Sequence, residues 1–185
     1  MGVEIEAKLK VDVPGEIAER LSKLGAEYLE ERLQRDVYFD SLDSSLRKSD
    51  RGLRLRRQKT SGSERIFLTY KGAREDDKFK KRAEVEIEVS DIDLTERLLG
   101  AIGFGKVLTF EKKRRVWRFG GCEVCLDELP LLGGFVEIEG PDDDRIADVQ
   151  GDLGLADLEH IKDSYATLMD AKLSESGRAE REVFF

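Results

Sequence analysis

Apolar and charged residues alternate along much of the chain. The first such stretch, GVEIEAKLK at residues 2–10, places its apolar residues at odd positions and its charged residues at even ones. A period of two is typical of a β-strand with one buried face. Similar patterns recur in GLRLRRQ (52–58), RIFLTYKG (65–72), KFKKRAEVEIEV (78–89), TFEKKRRVWRFGG (109–121), CEVCLDEL (122–129) and GGFVEIEG (133–140). We therefore expect about eight strands.

Helical patterns lie between and after these strands. Four segments show apolar stripes or helix-start signals: PGEIAERLSKLG (14–25), DIDLTERLLGAIGF (91–104), DDDRIADVQGDLG (142–154) and DSYATLMDAKL (163–173). Residues 174–185 lack periodicity, so they are predicted to be a frayed tail. No linker divides the remainder, which indicates a single domain over residues 1–173 and an antiparallel α+β fold with helices covering the apolar strand faces.

The charged strand faces are sorted by sign. Glu4 and Glu6 form one acidic pair, Glu137 and Glu139 form another, and basic rows contain Arg54, Arg56, Lys71, Lys112 and Arg114. An open sheet with a solvated face is one interpretation, but such a face usually mixes signs along each strand. The other is a sheet curled around a wet lumen. Sorted rows favour a ligand with several negative charges and a divalent metal, such as a polyphosphate with Mg²⁺ or Mn²⁺.

Composition narrows the functional classes. The 185 residues are 39% hydrophobic and 39% charged, and the net charge of −8 argues against a general nucleic-acid-binding protein. No stretch approaches the roughly 20 apolar residues of a membrane span. The sequence starts directly with a strand pattern and shows no signal peptide, so the expected location is cytoplasmic.

Cysteine and histidine offer little chemistry. Cys122 and Cys125 form one CxxC whose odd spacing points the thiols to opposite faces of a strand, so we interpret them as small buried residues. His160 is the only histidine, which gives poor support to nucleophilic catalysis with a histidine base.

The opening EIEAK matches the ExExK signature of the CYTH superfamily, the triphosphate tunnel metalloenzymes. Further motifs follow in order across residues 3–169: DVYFD, RGLRLR, LTYKG, RAEVEIEV, EKKRRVW, CLDELPLLGGFVEIEG and DSYATLM. The chain resembles most the class IV adenylyl cyclase branch, which is itself similar to thiamine-triphosphatase and inorganic-triphosphatase relatives. The resemblance implies an eight-stranded antiparallel β-barrel, a triphosphate tunnel, with helices packed outside.

The resemblance also implies roles for individual residues. The metal would be held by Glu4, Glu6, Asp127, Glu137 and Glu139. Phosphate would be bound by Lys8, Arg54, Arg56, Lys71, Arg82, Lys112 and Arg114. In the run EKKRR, Lys113 and Arg115 are the alternatives if the register is shifted by one residue. Lys8, Glu86 and Asp127 are the candidate catalytic residues, with Glu86, Asp127 or a metal-bound hydroxide as proton acceptor.

Three functions stay open at this stage. The first is a cyclase that converts ATP to cyclic AMP and pyrophosphate. The second is a triphosphatase acting on inorganic, thiamine or nucleoside triphosphate, and the third is a non-catalytic binder of polyphosphate or nucleotide. The expected partner is a small triphosphate together with Mg²⁺ or Mn²⁺, without nucleic acid or membrane, and a homodimer is left open.

Overall fold

A computed structural model of the chain describes residues 2–74 and 79–185, and the side chains of these except at residues 2–4 and 80. Its strands are β1 (Gly2–Val11), β2 (Glu27–Ser41), β3 (Gly52–Lys59), β4 (Glu64–Lys71), β5 (Lys80–Val89), β6 (Phe104–Phe119), β7 (Cys122–Leu129), β8 (Gly133–Glu139) and β9 (Glu182–Val183). Its helices are α1 (Pro14–Lys23), α2 (Ser45–Lys48), α3 (Ile92–Ala101), α4 (Asp143–Asp152) and α5 (Tyr165–Glu175).

Eight strands form a closed antiparallel barrel. Their order is β2-β3-β4-β5-β1-β8-β7-β6, and β6 pairs back with β2 to close the ring. Closure removes the exposed edges that an open sheet would present. The predicted eight-stranded barrel with outer helices is confirmed, and the open sheet is excluded.

Helices cover much of the apolar outer face of the barrel, whereas Val85 and Ile87 of β5 are exposed. Ala7 and Leu9 of β1 pack with Val124 of β7 in one cluster that also takes in Leu21 of α1 and Ile146 of α4. On another side of the barrel, α3 inserts Leu99 against β2 and β3. The helices begin and end where the sequence indicates: Asp91 caps α3, Asp142 caps α4, and Gly25 with φ +75° follows α1.

Helix α5 packs differently, against inward-facing residues at one end of the barrel. Phe110, Leu129 and Phe135 each lie two positions along a strand from a charged inward residue, so they share its face. They form an apolar cluster with Met169 and Leu173 of α5. The helix therefore closes this end of the lumen. Within residues 2–74 and 79–185, no helix has the length and apolar character that crossing a bilayer requires.

Part of the C-terminal segment, for which the sequence predicts a frayed tail, pairs with the barrel. Helix α5 extends to Glu175, and β9 returns to pair in parallel with Thr109 and Phe110 of β6. Val183 is buried in the cluster beneath α5. Two residues are too few to show a period, so no sequence pattern predicts this strand. The first half of β6 extends beyond β7, and β9 covers the backbone groups left there.

Pairing of β9 predicts a stability effect for a single buried side chain. Val183→Ala removes two methyl groups from an apolar cluster and should lower the free energy of unfolding by about 1–2 kcal/mol. Phe185→Ala, at an exposed position two residues on, should change it by less than about 0.5 kcal/mol. Urea unfolding of both variants checks this, and equal values for the two would contradict a docked β9.

Candidate active site

The barrel encloses a cavity of about 1020 Å³ lined mainly by charged side chains. The cavity brings together eleven of the residues singled out from the sequence: Glu6, Lys8, Arg54, Arg56, Lys71, Arg82, Glu86, Lys112, Arg114, Glu137 and Glu139. The backbone of Glu4 pairs with that of Arg82, but the Glu4 side chain lies outside the described residues. Asp127 is fully buried and is not among the residues that line the cavity.

Strands β1 and β8 carry the acidic wall, which we define as Glu6, Glu137 and Glu139. Glu6 lies directly opposite Glu139 in the ladder between these strands, and Lys8 lies opposite Glu137. The Lys8 ammonium is buried at 3.3 Å from a Glu137 oxygen and 3.8 Å from a Glu6 oxygen. Burial disfavours this charge, but Glu137 and Glu6 outweigh it and raise the pKa of Lys8. Lys8 therefore stays charged and compensates the wall.

Glu123 of β7 extends the acidic wall and was not anticipated. It lies opposite Glu139 in the next ladder and lines the same cavity. Its strand, CEVCLDEL, alternates inward Glu123 and Asp127 with outward apolar residues, so the period of two could have revealed it.

The acidic wall suits a hard divalent cation in its donor type. Carboxylate oxygens are the ligands that Mg²⁺ and Mn²⁺ prefer. As the side chains of the described residues lie, no three acidic, cysteine or histidine side chains converge on one point that could hold a metal ion. The Lys8 ammonium takes the place between Glu6 and Glu137 that a cation would share. Donor chemistry fits a metal, whose ligation would require Lys8 or the carboxylates to rearrange.

The basic wall, defined as Arg54, Arg56 and Lys71, projects from β3 and β4. Arg56 makes a bidentate ion pair with Asp36 of β2 at 2.6 and 2.7 Å. Burial opposes ionisation of Asp36, but Arg56 outweighs it and holds the pKa of this carboxyl well below its usual range. Lys71 lies 2.8 Å from Glu84 on β5. Arg56 and Lys71 are thus each held in place by a carboxylate of a neighbouring strand, and Arg54 donates to Thr69 of β4 at 3.1 Å.

Glu86, the candidate base, is more accessible than most of the lining. Its carboxylate accepts a hydrogen bond from Thr69 at 2.8 Å and lies 3.6 Å from Arg54. Its side chain is 41% exposed. Arg82 is buried and lies 3.6 Å from Asp50, and Arg74, which the sequence did not point to, bonds the same Asp50 at 2.9 Å.

Both acids of the DVYFD segment have structural tasks. Asp36 anchors Arg56, and Asp40 accepts backbone N–H groups from Leu46 and Arg47, which fixes the start of α2. Tyr38 between them lines the cavity and stacks on Phe110 with ring centroids 5.5 Å apart. Alternation within the segment points all three side chains inward, but the sequence around it did not show a strand.

Asp127 is the centre of a buried cluster that also contains Lys112, Arg114 and Tyr165. Its two oxygens accept from Arg114 at 2.7 and 2.5 Å, from Lys112 at 3.2 Å and from the Tyr165 hydroxyl at 2.8 Å. The carboxylate has no exposed surface. Arg114 also contacts Glu137 and so connects this cluster to the acidic wall. Asp127 therefore anchors the cations around it, and its role as a metal ligand stays a prediction.

The structure shows which residues of the EKKRR run face the cavity. Lys112 and Arg114 point into the cavity, whereas Lys113 is exposed over the Phe185 ring and Arg115 lies near Glu128 on the outside. Burial, followed by the neighbouring charge of Arg114, lowers the pKa of Lys112 to about 8. This lysine is therefore a cation whose charge responds to pH near neutrality.

Comparison with known proteins shows what this arrangement is similar to. The CYTH domain family model matches residues 2–172. "Putative adenylate cyclase MJ0240" of Methanocaldococcus jannaschii is 31% identical over 137 residues, 74% of this chain and 76% of the relative. "Adenylate cyclase CyaB" of Aeromonas hydrophila is 27% identical over 181 residues, 92% of this chain and 91% of the relative.

Two solved structures are similar in fold to this chain. The PH1819 protein of Pyrococcus horikoshii has a TM-score of 0.79 at 31% identity, covering 91% of this chain and 99% of that one. The HpAC1 protein of Hippeastrum, whose structure is described as revealing a dominant triphosphatase activity, has a TM-score of 0.68 at 19% identity, covering 96% and 97%. At that identity the second likeness concerns the fold alone.

The lowered pKa of Lys112 predicts how anion binding depends on pH. Below pH 8 the free protein carries the Lys112 charge, so a triphosphate binds without taking up a proton. Above pH 8 the lysine must regain its proton, and the affinity for inorganic triphosphate should fall by up to about tenfold per pH unit. Calorimetry from pH 7 to 9.5 without metal measures this. Lys112→Arg keeps its charge throughout and should abolish the decline; a flat wild-type profile would contradict the prediction.

Proposed function

Because the chain belongs to the CYTH domain family, we propose that it is a metal-dependent enzyme that acts on a triphosphate within the barrel, with ATP cyclisation as its reaction. The observation that carries the proposal is the facing of the acidic and basic walls across one cavity. The volume lies at the upper end of the range for sites that enclose small organic ligands, and so accommodates a nucleoside as well as its phosphates. The relatives named as adenylate cyclases support the choice of reaction.

The basic side chains would bind the phosphate oxygens. Arg54 and Arg56 suit bidentate contacts, and Lys71 and Lys112 supply point charges. Since these cations already have carboxylate partners, an entering triphosphate shares or replaces those partners without new charges having to be ordered. Such preorganised charge stabilises the charge that develops during phosphoryl or nucleotidyl transfer.

The acidic wall would hold the divalent metal, with Glu6, Glu137 and Glu139 as ligands; Glu4 on the same strand is a further predicted ligand. Bound metal would neutralise phosphate charge and polarise the reacting phosphorus centre. In this proposal Lys8 moves from its carboxylates towards the phosphates when the cation arrives, since both cations compete for the same oxygens.

The proton of the attacking ribose hydroxyl requires an acceptor. The 3′ oxygen forms a bond to the α-phosphorus, the bond from that phosphorus to the bridging oxygen breaks, and pyrophosphate leaves. Glu86 suits the acceptor role better than Asp127, because Glu86 has exposed surface in the cavity and Asp127 has none.

Triphosphate hydrolysis is the second candidate. Glu137 and Glu139 of the acidic wall both line the cavity, and attack by water on a triphosphate requires no nucleoside. The Hippeastrum protein shares this fold and is described with a triphosphatase activity. Hydrolysis would use the same two walls and would replace the ribose hydroxyl by water.

One assay separates the two reactions. The protein is incubated with ATP or inorganic triphosphate, with Mg²⁺ or Mn²⁺, and the products are separated. Cyclic AMP with an equal amount of pyrophosphate supports cyclisation, whereas orthophosphate from either substrate supports hydrolysis. Binding of both triphosphates without any product would leave only a non-catalytic binder and overturn the proposal.

Metal ligation by the acidic wall predicts a paired result for two carboxylates. Glu6→Gln should abolish the rise in melting temperature caused by Mn²⁺ and reduce turnover by at least about tenfold. Glu84→Gln also alters a cavity carboxylate, but one that faces Lys71 on the other side, and should keep the Mn²⁺ effect. A Glu6→Gln protein with the full Mn²⁺ shift would show that Glu6 is not a ligand.

A further inference from the structure

Tyr165 joins helix α5 to the catalytic cavity. It is the first residue of α5, after the helix cap Ser164, whose side chain accepts from Thr167 N. The tyrosine is buried among apolar side chains, and its ring contacts Phe135 edge to face with centroids 5.1 Å apart. Tyr165 thus takes part in the packing of α5 and is also one of the residues that line the cavity.

The hydroxyl is the one uncharged donor described on the Asp127 carboxylate. It donates to Oδ2 at 2.8 Å, the same oxygen that accepts from Lys112 at 3.2 Å. Burial and the neighbouring Asp127 charge raise the pKa of Tyr165 well above its ordinary value, so the hydroxyl keeps its proton and remains a donor. It therefore fixes one carboxylate oxygen without adding a positive charge to the cluster.

The ring face carries a second function, because two ammonium groups lie over it. Lys8 Nζ lies 4.3 Å and Lys112 Nζ 4.8 Å from the ring centroid, within the range of cation–π attraction. These lysines come from β1 and β6, strands that do not pair with each other in the barrel. Strand pairing alone therefore does not place these two lysines side by side. The Tyr165 ring contacts both of them.

The tyrosine is itself held against β1. The amide of Ile161 donates to the Lys8 carbonyl at 2.8 Å, and the Lys8 ammonium donates to the Asp163 carbonyl at 3.0 Å. The segment leading into α5 thus runs along the strand that carries Lys8. This attachment fixes the ring relative to both lysines.

We propose that Tyr165 is a positioning residue that orients Asp127, and through it Lys112 and Arg114, for the reacting triphosphate. This inference rests on the proposed function. Its hydroxyl aligns the carboxylate, and its ring aligns Lys8 and Lys112. A misaligned cation can still attract a bound anion, but it stabilises the transition state less well.

Two substitutions separate the hydroxyl from the ring. Tyr165→Phe keeps the ring contacts and the bidentate hold of Arg114 on Asp127, so affinity for inorganic triphosphate should change less than about threefold while kcat falls about tenfold or more. Tyr165→Leu removes the ring as well, so both kcat and affinity should fall, the affinity by about tenfold.

Met169→Ala is the matched control. Met169 is fully buried in the apolar cluster one turn further along α5 and is not among the residues that line the cavity, so the variant loosens the helix and leaves Asp127 with its donors. It should lower the melting temperature with kcat and affinity unchanged at temperatures well below melting. If Met169→Ala reproduced the kcat loss, or if Tyr165→Phe kept wild-type kcat, the positioning role would be overturned.

Because affinity for inorganic triphosphate can be measured without turnover, the positioning role can be tested even if the protein is not an enzyme. Wild type that binds inorganic triphosphate without turnover would refute the enzyme proposal, and the Tyr165→Leu and Met169→Ala affinities would still decide the positioning role. Equal affinities for those two variants would overturn it. Turnover in wild type with an unaffected Tyr165→Phe would refute the positioning role alone.

Discussion

Mutual neutralisation of charges inside a closed barrel is the constraint on which this structure depends. Isolated charges taken out of water are costly, and a buried ion pair is tolerated only when geometry and further hydrogen bonds compensate both partners. Asp36 with Arg56, Glu84 with Lys71, and Asp127 with Arg114 meet this requirement from adjacent strands. The ladder register places each acid directly opposite its base, so the register of the strands determines which charges pair.

The same requirement explains why a polyanion is an apt ligand. The barrel carries cations that are already ordered, dehydrated and held by partners on a rigid sheet. A phosphate that takes over those contacts encounters cations that need little reorganisation, whereas cations on mobile loops would first have to be ordered. The acidic wall is the proposed place for a metal, and the Lys8 ammonium lies between its carboxylates in the protein alone.

Much of the barrel and its lining follows from a period of two in the sequence. Most of these strands alternate clearly, because their outer faces are largely apolar and their inner faces are charged, and the family resemblance supplied the closure. Strand β6 is the exception, since Glu111, Lys113 and Arg115 place charge on its outer face as well. Strand β2 was missed since its first half, EYLEERLQ, also carries charge on its outer face and so shows no clean alternation. Asp36 and Tyr38 went unassigned for that reason.

What the sequence could not provide was the pairing of charges across strands. Asp127 matched a family position for a metal ligand, yet its neighbours in space are Arg114, Lys112 and Tyr165, from β6 and α5. Which oxygen meets which donor depends on barrel register and on the docking of α5, and neither is encoded in local periodicity. The tail strand β9 was hidden for a similar reason, as its two residues gain order only by contact with β6.

Closure of the barrel through β2 and β6 also bears on how the chain reaches its native state. The β2–β5 strands form a run of sequence neighbours, and the pairs Asp36–Arg56 and Lys71–Glu84 lie within that run. Contacts between near neighbours form at low entropic cost, while the pairs of β1 with β5 and β8 and of β2 with β6 join distant parts of the chain. During synthesis the basic wall can therefore be compensated before the acidic wall exists. The β2–β5 part of the barrel thus carries counterions for its own cations before the lumen is complete.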